Sequence, residues 1–321
     1  MTPTHGRPGG RKKLTSPSLV VGLVVLGSLS LLPVVSDNQF LQTSLILVFI
    51  FALFGASWDL TFGVTGLPNF GPGLPFGIGG FMLYLVPRQV NPLLAVVAAG
   101  LVAGAFGILM WTPSIRLRGS YLSIVTLAML LLFQDASFVL TSEEGVSLGL
   151  HYYAVPLVAS YYFALAIAGG STLVLYFLSK SRIGLRLRAI KDDEVAAKAS
   201  SIDVSGHKLF VFILSAFFAG MAGAYYTLYN SNVNYTIFSV SNDFLPIVVT
   251  VIGGPGTIFG AWLGSLLVEL PSLYLLAYGP YSVIVYGATM ILVMLFVKGG
   301  IIGGLTRISE RIRTVGRKDG T

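Results

Sequence analysis

Apolar residues run along this chain in long, nearly unbroken blocks, and polar residues gather in the short connections between them. Crossing a hydrocarbon core takes about 20 residues, with a range near 17–25. On that measure Leu19–Val35, Phe40–Thr65, Leu93–Thr112, Tyr121–Leu140, Tyr161–Ser179, Leu209–Tyr229, Ile258–Ala277 and Tyr281–Val297 predict membrane helices. Two shorter blocks, Leu74–Val86 and Phe244–Ile252, bring the predicted segments to ten. Each short block adjoins a Gly/Pro cluster, Gly66-Leu-Pro-Asn-Phe-Gly-Pro-Gly73 in one half and Gly253-Gly-Pro-Gly-Thr257 in the other. Non-helical backbone at membrane depth survives only inside protein or beside a wet cavity. Short hydrophobic segments interrupted by Gly and Pro, one in each half, are a pattern of transport pathways. The fold predicted is an all-α polytopic membrane protein of about ten transmembrane segments, two of them short and interrupted.

Composition supports this and excludes the alternatives. Of 321 residues, 55% are hydrophobic and 10% charged, against about 25% charged in soluble domains. Mean hydropathy is +0.83. A single soluble core stops growing near 250–300 residues, so one globule cannot hide this much apolar side chain, and so low a charge is not that of a disordered chain. The net charge of +7 has a better explanation than nucleic acid, because the basic residues cluster between apolar blocks. Arg7, Arg11, Lys12 and Lys13 lie in a tail, Arg116 and Arg118 in one connection, seven residues between Lys180 and Lys208, and six between Lys298 and Lys318. Ten crossings from an internal N-terminus put these on the cytoplasmic side and leave only Arg88 opposite. The positive-inside rule therefore predicts N-in and C-in. Asp37, Glu143, Glu144 and Asp243 then fall outside. The organisation expected is a basic tail over 1–18, a transmembrane domain over 19–298 with a cytoplasmic loop at 180–208, and a second basic tail over 299–321. Leu19–Val35 reads as an uncleaved span, being longer than a usual signal-peptide core and lacking an obvious A-x-A site.

The loop is the main polar element. Leu185 to Ala199 is rich in helix formers and free of Gly and Pro, with Leu185, Ala189, Ala196 and Ala199 predicted on one helical side. Two readings suit it: a solvated surface helix, or a docking helix for a cytoplasmic partner. The first Gly/Pro cluster also has two, close helix packing or a translocation path lined by Gly66, Asn69, Phe70, Gly71 and Gly73. Glu269 and Asp59 lie in apolar blocks, where a charge costs about 2.5–3.5 kcal/mol on insertion scales, so partners or water are expected. A pathway, a subunit interface or a structural hydrogen bond would each supply them. Glu143 and Glu144, in an external loop without Lys or Arg, suit either solvent or contact with a binding protein. His5, His151 and His207 are scattered, Cys is absent and no G-x-x-x-x-G-K-[ST] occurs. We therefore expect no catalytic residue, metal site, cofactor or Walker A loop in this chain; if transport is ATP-driven, ATP hydrolysis belongs to a separate subunit.

Several stretches together resemble one family. Ser181-Arg182-x-Gly184 followed by Arg188-Ala-Ile-Lys-Asp-Asp-Glu-Val-Ala-Ala197 is similar to the cytoplasmic loop of branched-chain amino acid ABC permeases. Phe76-Gly-Ile-Gly-Gly80, Ile115-Arg-Leu-Arg-Gly-Ser-Tyr121, Leu214–Ala224 and Val251–Gly264 agree with that family in order and spacing, so the resemblance runs from about Phe40 to Leu305. It implies a LivM-like permease subunit in the plasma or inner membrane, working with a second permease, cytoplasmic ATPases and an external binding protein. The loop becomes the coupling helix that receives the ATPase, with Gly184, Arg188, Ala189, Lys191, Asp192, Asp193, Glu194 and Ala197 as its matched residues. Asn69 and Pro72 stand where the family often has Ser and His, and Asp59 where it often has Asn. Related permeases carry urea, short amides or other amino acids. The alternative of another class is a stand-alone secondary transporter, for which Glu269 is the best-placed carboxylate. A membrane-embedded enzyme lacks a matched acid, base and nucleophile.

Overall fold

A computed structural model describes residues 17–35, 38–86, 89–117, 119–142, 148–149, 156–275 and 300–301. The predicted span Tyr281–Val297, most of both basic tails, Asp37, Arg88, Arg118, Glu143, Glu144 and His151 lie outside the described residues. The regular structure of the described residues is α-helical, apart from a π-helical turn at Leu60–Val64, a two-residue antiparallel pairing of Leu148–Gly149 with Asn232–Val233 and a 3₁₀ turn at Tyr235–Phe238.

The helices are α1 (Pro17–Val35), α2 (Gln39–Asp59), α3 (Gly73–Leu85), α4 (Pro92–Ser114), α5 (Ser120–Ser142), α6 (Leu157–Lys180), α7 (Arg182–Asp192), α8 (Glu194–Ala199), α9 (Val204–Asn230), α10 (Val240–Gly253) and α11 (Gly260–Leu275). Nine of the ten predicted segments thus coincide with helices, and the tenth is the one outside the described residues. Among the described residues, α2 with its extension to Val64, α4, α5, α6 and α9 are long and apolar enough to cross a membrane, whereas α3 and α10 are short apolar helices. Their starts follow local chemistry. The Asn91 side chain accepts from the Leu93 amide at 2.9 Å, and Pro92 occupies the first turn, where its missing N–H costs nothing.

α2 is the hub. It is apolar on all sides, the pattern of a helix with no exposed face, and Leu45 through Leu60 are almost continuously buried. Hydroxyls from three neighbours donate to its carbonyls: Ser215 of α9 to Ser57 at 2.7 Å, Thr250 of α10 to Gly55 at 3.0 Å, and Ser265 of α11 to Val48 at 2.7 Å. Such bonds average about 0.6 kcal/mol in membrane bundles, so they orient helices more than they glue them. Close packing does the rest. A Cβ at Gly79 of α3 would strike the Gly220 backbone of α9, and one at Gly223 the Phe76 backbone. α5 lies at the periphery, with Tyr121, Ile124, Leu132 and Val139 exposed. Outward apolar side chains of this kind suit a lipid solvent.

The 180–208 loop departs from expectation in two ways. It forms two helices rather than one, because Asp193 adopts an extended conformation and its side chain caps α8, accepting from Val195 and Ala196 at 2.8 and 3.0 Å. Its buried side is also different. Gly184, Leu187, Ile190 and Ala197 face the bundle, whereas Leu185, Ala196 and Ala199 are exposed and Ala189 is half-buried. The loop packs on helix ends, so the Leu187/Ile190 pair, not the alanines, selects the inner side.

Candidate functional site

The chain runs from the end of α2 through a single π-helical turn, Leu60–Val64, into extended backbone that reaches α3 at Gly73. Gly66 opens this stretch at φ +73°, a left-handed conformation that disfavours side chains. The stretch is then fastened residue by residue. Ser123 Oγ of α5 donates to the Pro68 carbonyl at 3.2 Å. Trp58 Nε1 donates to the Asn69 carbonyl at 2.7 Å, and the Asn69 side chain accepts from the Gly71 amide at 3.1 Å. The Phe70 amide donates to Thr126 Oγ1 at 2.9 Å, and the Gly73 amide to Asp243 Oδ1 at 2.6 Å. Buried backbone outside a helix needs such partners, since each unmet polar group costs about 1–3 kcal/mol. Asn69 is buried, and Phe70 is half-buried with its ring 6.0 Å from that of Phe244.

The five pathway candidates Gly66, Asn69, Phe70, Gly71 and Gly73 therefore lie on one non-helical segment that enters the bundle, with Gly66 exposed at its mouth, Phe70 half-buried and Asn69, Gly71 and Gly73 buried. Glu269 sits apart from it in α11, buried, with Tyr226 of α9 as electrostatic neighbour. Asp243 was expected in an external connection; α10 begins earlier than the hydropathy suggested, at Val240, and carries Asp243 into the core, fully buried at the first residues of α3. One of its oxygens holds Gly73, and Oδ2 has no hydrogen-bond partner.

The second interruption is built in parallel. Gly254 (φ +116°), Gly256 (φ +81°) and Ile258 (φ +58°) turn the chain between α10 and α11. A β-branched residue in that region is strained, by roughly 1–3 kcal/mol, and persists where surroundings overdetermine it. Here they do: Asp59, 1% exposed, accepts from the Gly256 amide at 2.6 Å through Oδ1 and from the Ile258 amide at 2.8 Å through Oδ2. Asp59 thus has the structural partners that an apolar block demands. Sequence reading missed both carboxylate–loop pairings. A carboxylate in an apolar block near each interruption was the available signal, but the partners lie 170 to 199 residues away.

The loop helices meet these interruptions at one end of the bundle. Arg188 Nη2 donates to the Ser179 carbonyl at the end of α6 at 3.0 Å, and Lys191 Nζ to the Gly63 carbonyl in the π-turn at 2.6 Å. Lys208 pairs with Glu194 at 3.0 Å and reaches the Ser114 carbonyl of α4 at 3.4 Å. Gly300, the start of the C-terminal basic stretch, abuts the Gly254 backbone. The basic loop, the α4 end that precedes Arg116, and Gly300 thus share one end of the bundle. Turned away from it, Leu185 is 60% and Val195 67% exposed, with Arg186, Asp192 and Lys198 around them. Among the described residues, no cluster of His, Asp or Glu could hold a metal ion.

Interrupted helices inside an all-α apolar bundle, with an exposed amphipathic helix pair seated against the interruptions, define a polytopic membrane transport subunit. Residues 40–294 match the family described as branched-chain amino acid transport system, permease component, and the chain belongs to that family. It is a multi-pass permease component of an ATP-binding cassette importer. Among relatives, it is 26% identical to the high-affinity branched-chain amino acid transport system permease protein LivM of Escherichia coli strain K12, over 80% of this chain and 68% of the relative. It is 25% identical to the probable branched-chain amino acid transport permease protein LivH of Methanocaldococcus jannaschii, over 83% and 90%. A nucleoside ABC transporter permease protein, NupC of Lactococcus lactis subsp. cremoris, is 24% identical over 57% and 62%. No solved structure gives a significant match.

Proposed function

We propose that this chain forms half of the substrate pathway of a branched-chain amino acid importer in the plasma membrane, beside a second permease and above cytoplasmic ATPases. It carries no catalytic step itself, and an external binding protein delivers the solute. The substrate follows the family description and the names of the LivM and LivH relatives; the nucleoside relative marks how far substrates range across similar chains. Ten crossings with both termini in the cytoplasm fit the gathering of the basic connections at one end of the bundle. The tails at 1–18 and 299–321 are cytoplasmic in this reading, and the 180–208 loop is the coupling loop.

The observation that carries the reading is the two-sided character of α7 and α8. Their inner face, with Leu187, Ile190, Arg188 and Lys191, is bonded to the bundle, while Leu185 and Val195 are held outward on rigid helices. Exposed apolar side chains on helices whose other face is bonded to the bundle offer contacts to a partner protein. Gly184, Arg188, Ala189, Lys191 and Ala197 seat the pair; Asp192, Asp193 and Glu194 shape its break and outer rim. Replacing Leu185 and Val195 by Asp leaves the inner face intact and should abolish ATPase co-purification while the permease still inserts. Undiminished co-purification would refute the docking assignment. Gly66, Asn69, Phe70, Gly71, Gly73 and Glu269 line the path in this reading, supported by the non-helical 66–73 backbone that runs from exposed Gly66 to buried Gly71 and Gly73, the form that discontinuous transporter helices take at their sites. Glu143 and Glu144 meet the binding protein; E143Q with E144Q should weaken docking at low salt and change little at high salt, as for other rim charges.

A further inference from the structure

We propose that Lys191 and Asp59 together form the mechanical link by which movement of the loop helices reaches both interrupted segments at once. The inference rests on the docking role just proposed for α7 and α8, and it adds the identity of the linking residues and the elements they move.

The geometry is a short chain of contacts. Lys191, in the last turn of α7, donates from Nζ to the Gly63 carbonyl at 2.6 Å. The same lysine's stem lies against Gly66, whose left-handed conformation opens the first interrupted stretch; a Cβ there would meet Lys191 Cγ and Cβ. On its other side Gly63 has no room for a side chain, because its α-carbon faces the Asp59 carboxylate and the Gly256 amide. Asp59 then holds Gly256 and Ile258, two of the three positive-φ residues in the turn before α11. The charge of Lys191 acts on this carboxylate as well. One cationic side chain from the loop therefore bears directly on the entry to the first stretch and, through one glycine and one carboxylate, on the turn of the second.

Each member has a property the link requires. A lysine stem can be displaced without unfolding α7, which its buried Leu187 and Ile190 hold in place. The π-turn at Leu60–Val64 carries a strained hydrogen-bond pattern of the kind that concentrates at functional positions. The strained Ile258 has an alternative backbone conformation to relax into once Asp59 lets go. Release of the Lys191 contact thus frees Gly63 and Gly66 together, and the carboxylate that follows Gly63 frees the second turn.

The test uses the complete importer, with its ATPases and binding protein, reconstituted in proteoliposomes, and reads solute transported per ATP hydrolysed. Lys191→Met removes the charge and the donor from an exposed stem; Lys191→Arg keeps both. In Lys191→Met, solute transported per ATP hydrolysed, read on importer that has kept its ATPase, should fall about 5-fold or more, the lower end of measured couplings between distant sites. Lys191→Arg should recover most of it. Asp59→Asn, which keeps one acceptor of two, should lower the ratio too, and the double variant should be no worse than the worse single one. A wild-type solute-to-ATP ratio in Lys191→Met would overturn the link, as would strictly multiplicative losses in the double variant. If Lys191→Met loses the ATPase altogether, Lys191 belongs to the docking surface and the link fails. If the Leu185→Asp and Val195→Asp variant keeps its ATPase, it is the docking assignment that fails.

Discussion

The two interrupted segments use the same device with different completeness. In each, a buried carboxylate from the other half of the chain sits at the backbone amides that lead into a helix: Asp243 at Gly73 before α3, Asp59 at Gly256 and Ile258 before α11. Unpaired amides at a helix start attract negative charge, and in both places the protein supplies it internally. Asp59, however, spends both oxygens and has Lys191 as its cationic neighbour. Asp243 spends one, and its second oxygen is buried without a partner. The first stretch is otherwise held by single hydroxyls from Ser123 and Thr126 and by the Trp58 indole. In the link proposed above, a turn whose carboxylate spends both oxygens yields after a stretch held at each point by a single bond: the Gly66–Gly73 stretch moves first and furthest, and the turn at Gly253–Ile258 follows.

Substitutions can break that asymmetry. The largest effect is expected from Asp59→Ala, which strands the buried Ile258 amide and the half-buried Gly256 amide, at up to about 1–3 kcal/mol each, and should lower the melting temperature of the detergent-solubilised permease more than any other single glycine or carboxylate change at the interruptions. Asp243→Ala strands one amide and should cost about half as much. Asp243→Asn keeps the Gly73 acceptor and replaces the unpartnered oxygen by an amide nitrogen, so its melting temperature should lie close to wild type. If Asp243→Ala proved worse than Asp59→Ala, the order of fastening would be reversed. Next in size is Gly256→Ala, which forces a side chain into φ +81° against the Gly63 backbone, at about 1–2 kcal/mol for the left-handed conformation. Gly66→Ala meets a similar φ but faces the yielding stem of Lys191, so it should be the milder of the two by the same melting assay. Ala189→Pro acts locally instead: it breaks α7 at about 3 kcal/mol, and its readout is ATPase co-purification, which should be lost while insertion persists.

The spans and both interruptions were legible because they depend on local composition, and every described block of adequate length is a helix. Its boundaries were less so. Phe244 looked like the first residue of its span because Asp243 reads as a solvated charge, yet burial against Gly73 moves the helix start to Val240. The loop was legible as helical, but its break was overlooked although Asp193-Glu194 is an ordinary helix start, an Asp cap followed by an acidic first turn. The wrong side was taken as apolar because alanines were weighed as if they packed on lipid; contact with helix ends favours Leu187 and Ile190 instead. The partners of Asp59 and Asp243 could not be read at all. Nothing in a single sequence links residues nearly 200 positions apart whose only relation is a carboxylate meeting a backbone amide, which carries no side-chain signature.

Cysteine accessibility through the ATP cycle tests the asymmetry most directly, because the chain has no cysteine of its own. Phe70→Cys and Ile258→Cys would each be placed in the reconstituted importer and exposed to a membrane-impermeant thiol reagent, first without nucleotide and then with ATP hydrolysis arrested. Phe70→Cys should change its labelling rate between the two states, and Ile258→Cys should change by less. A larger change at Ile258→Cys than at Phe70→Cys would contradict this order of release.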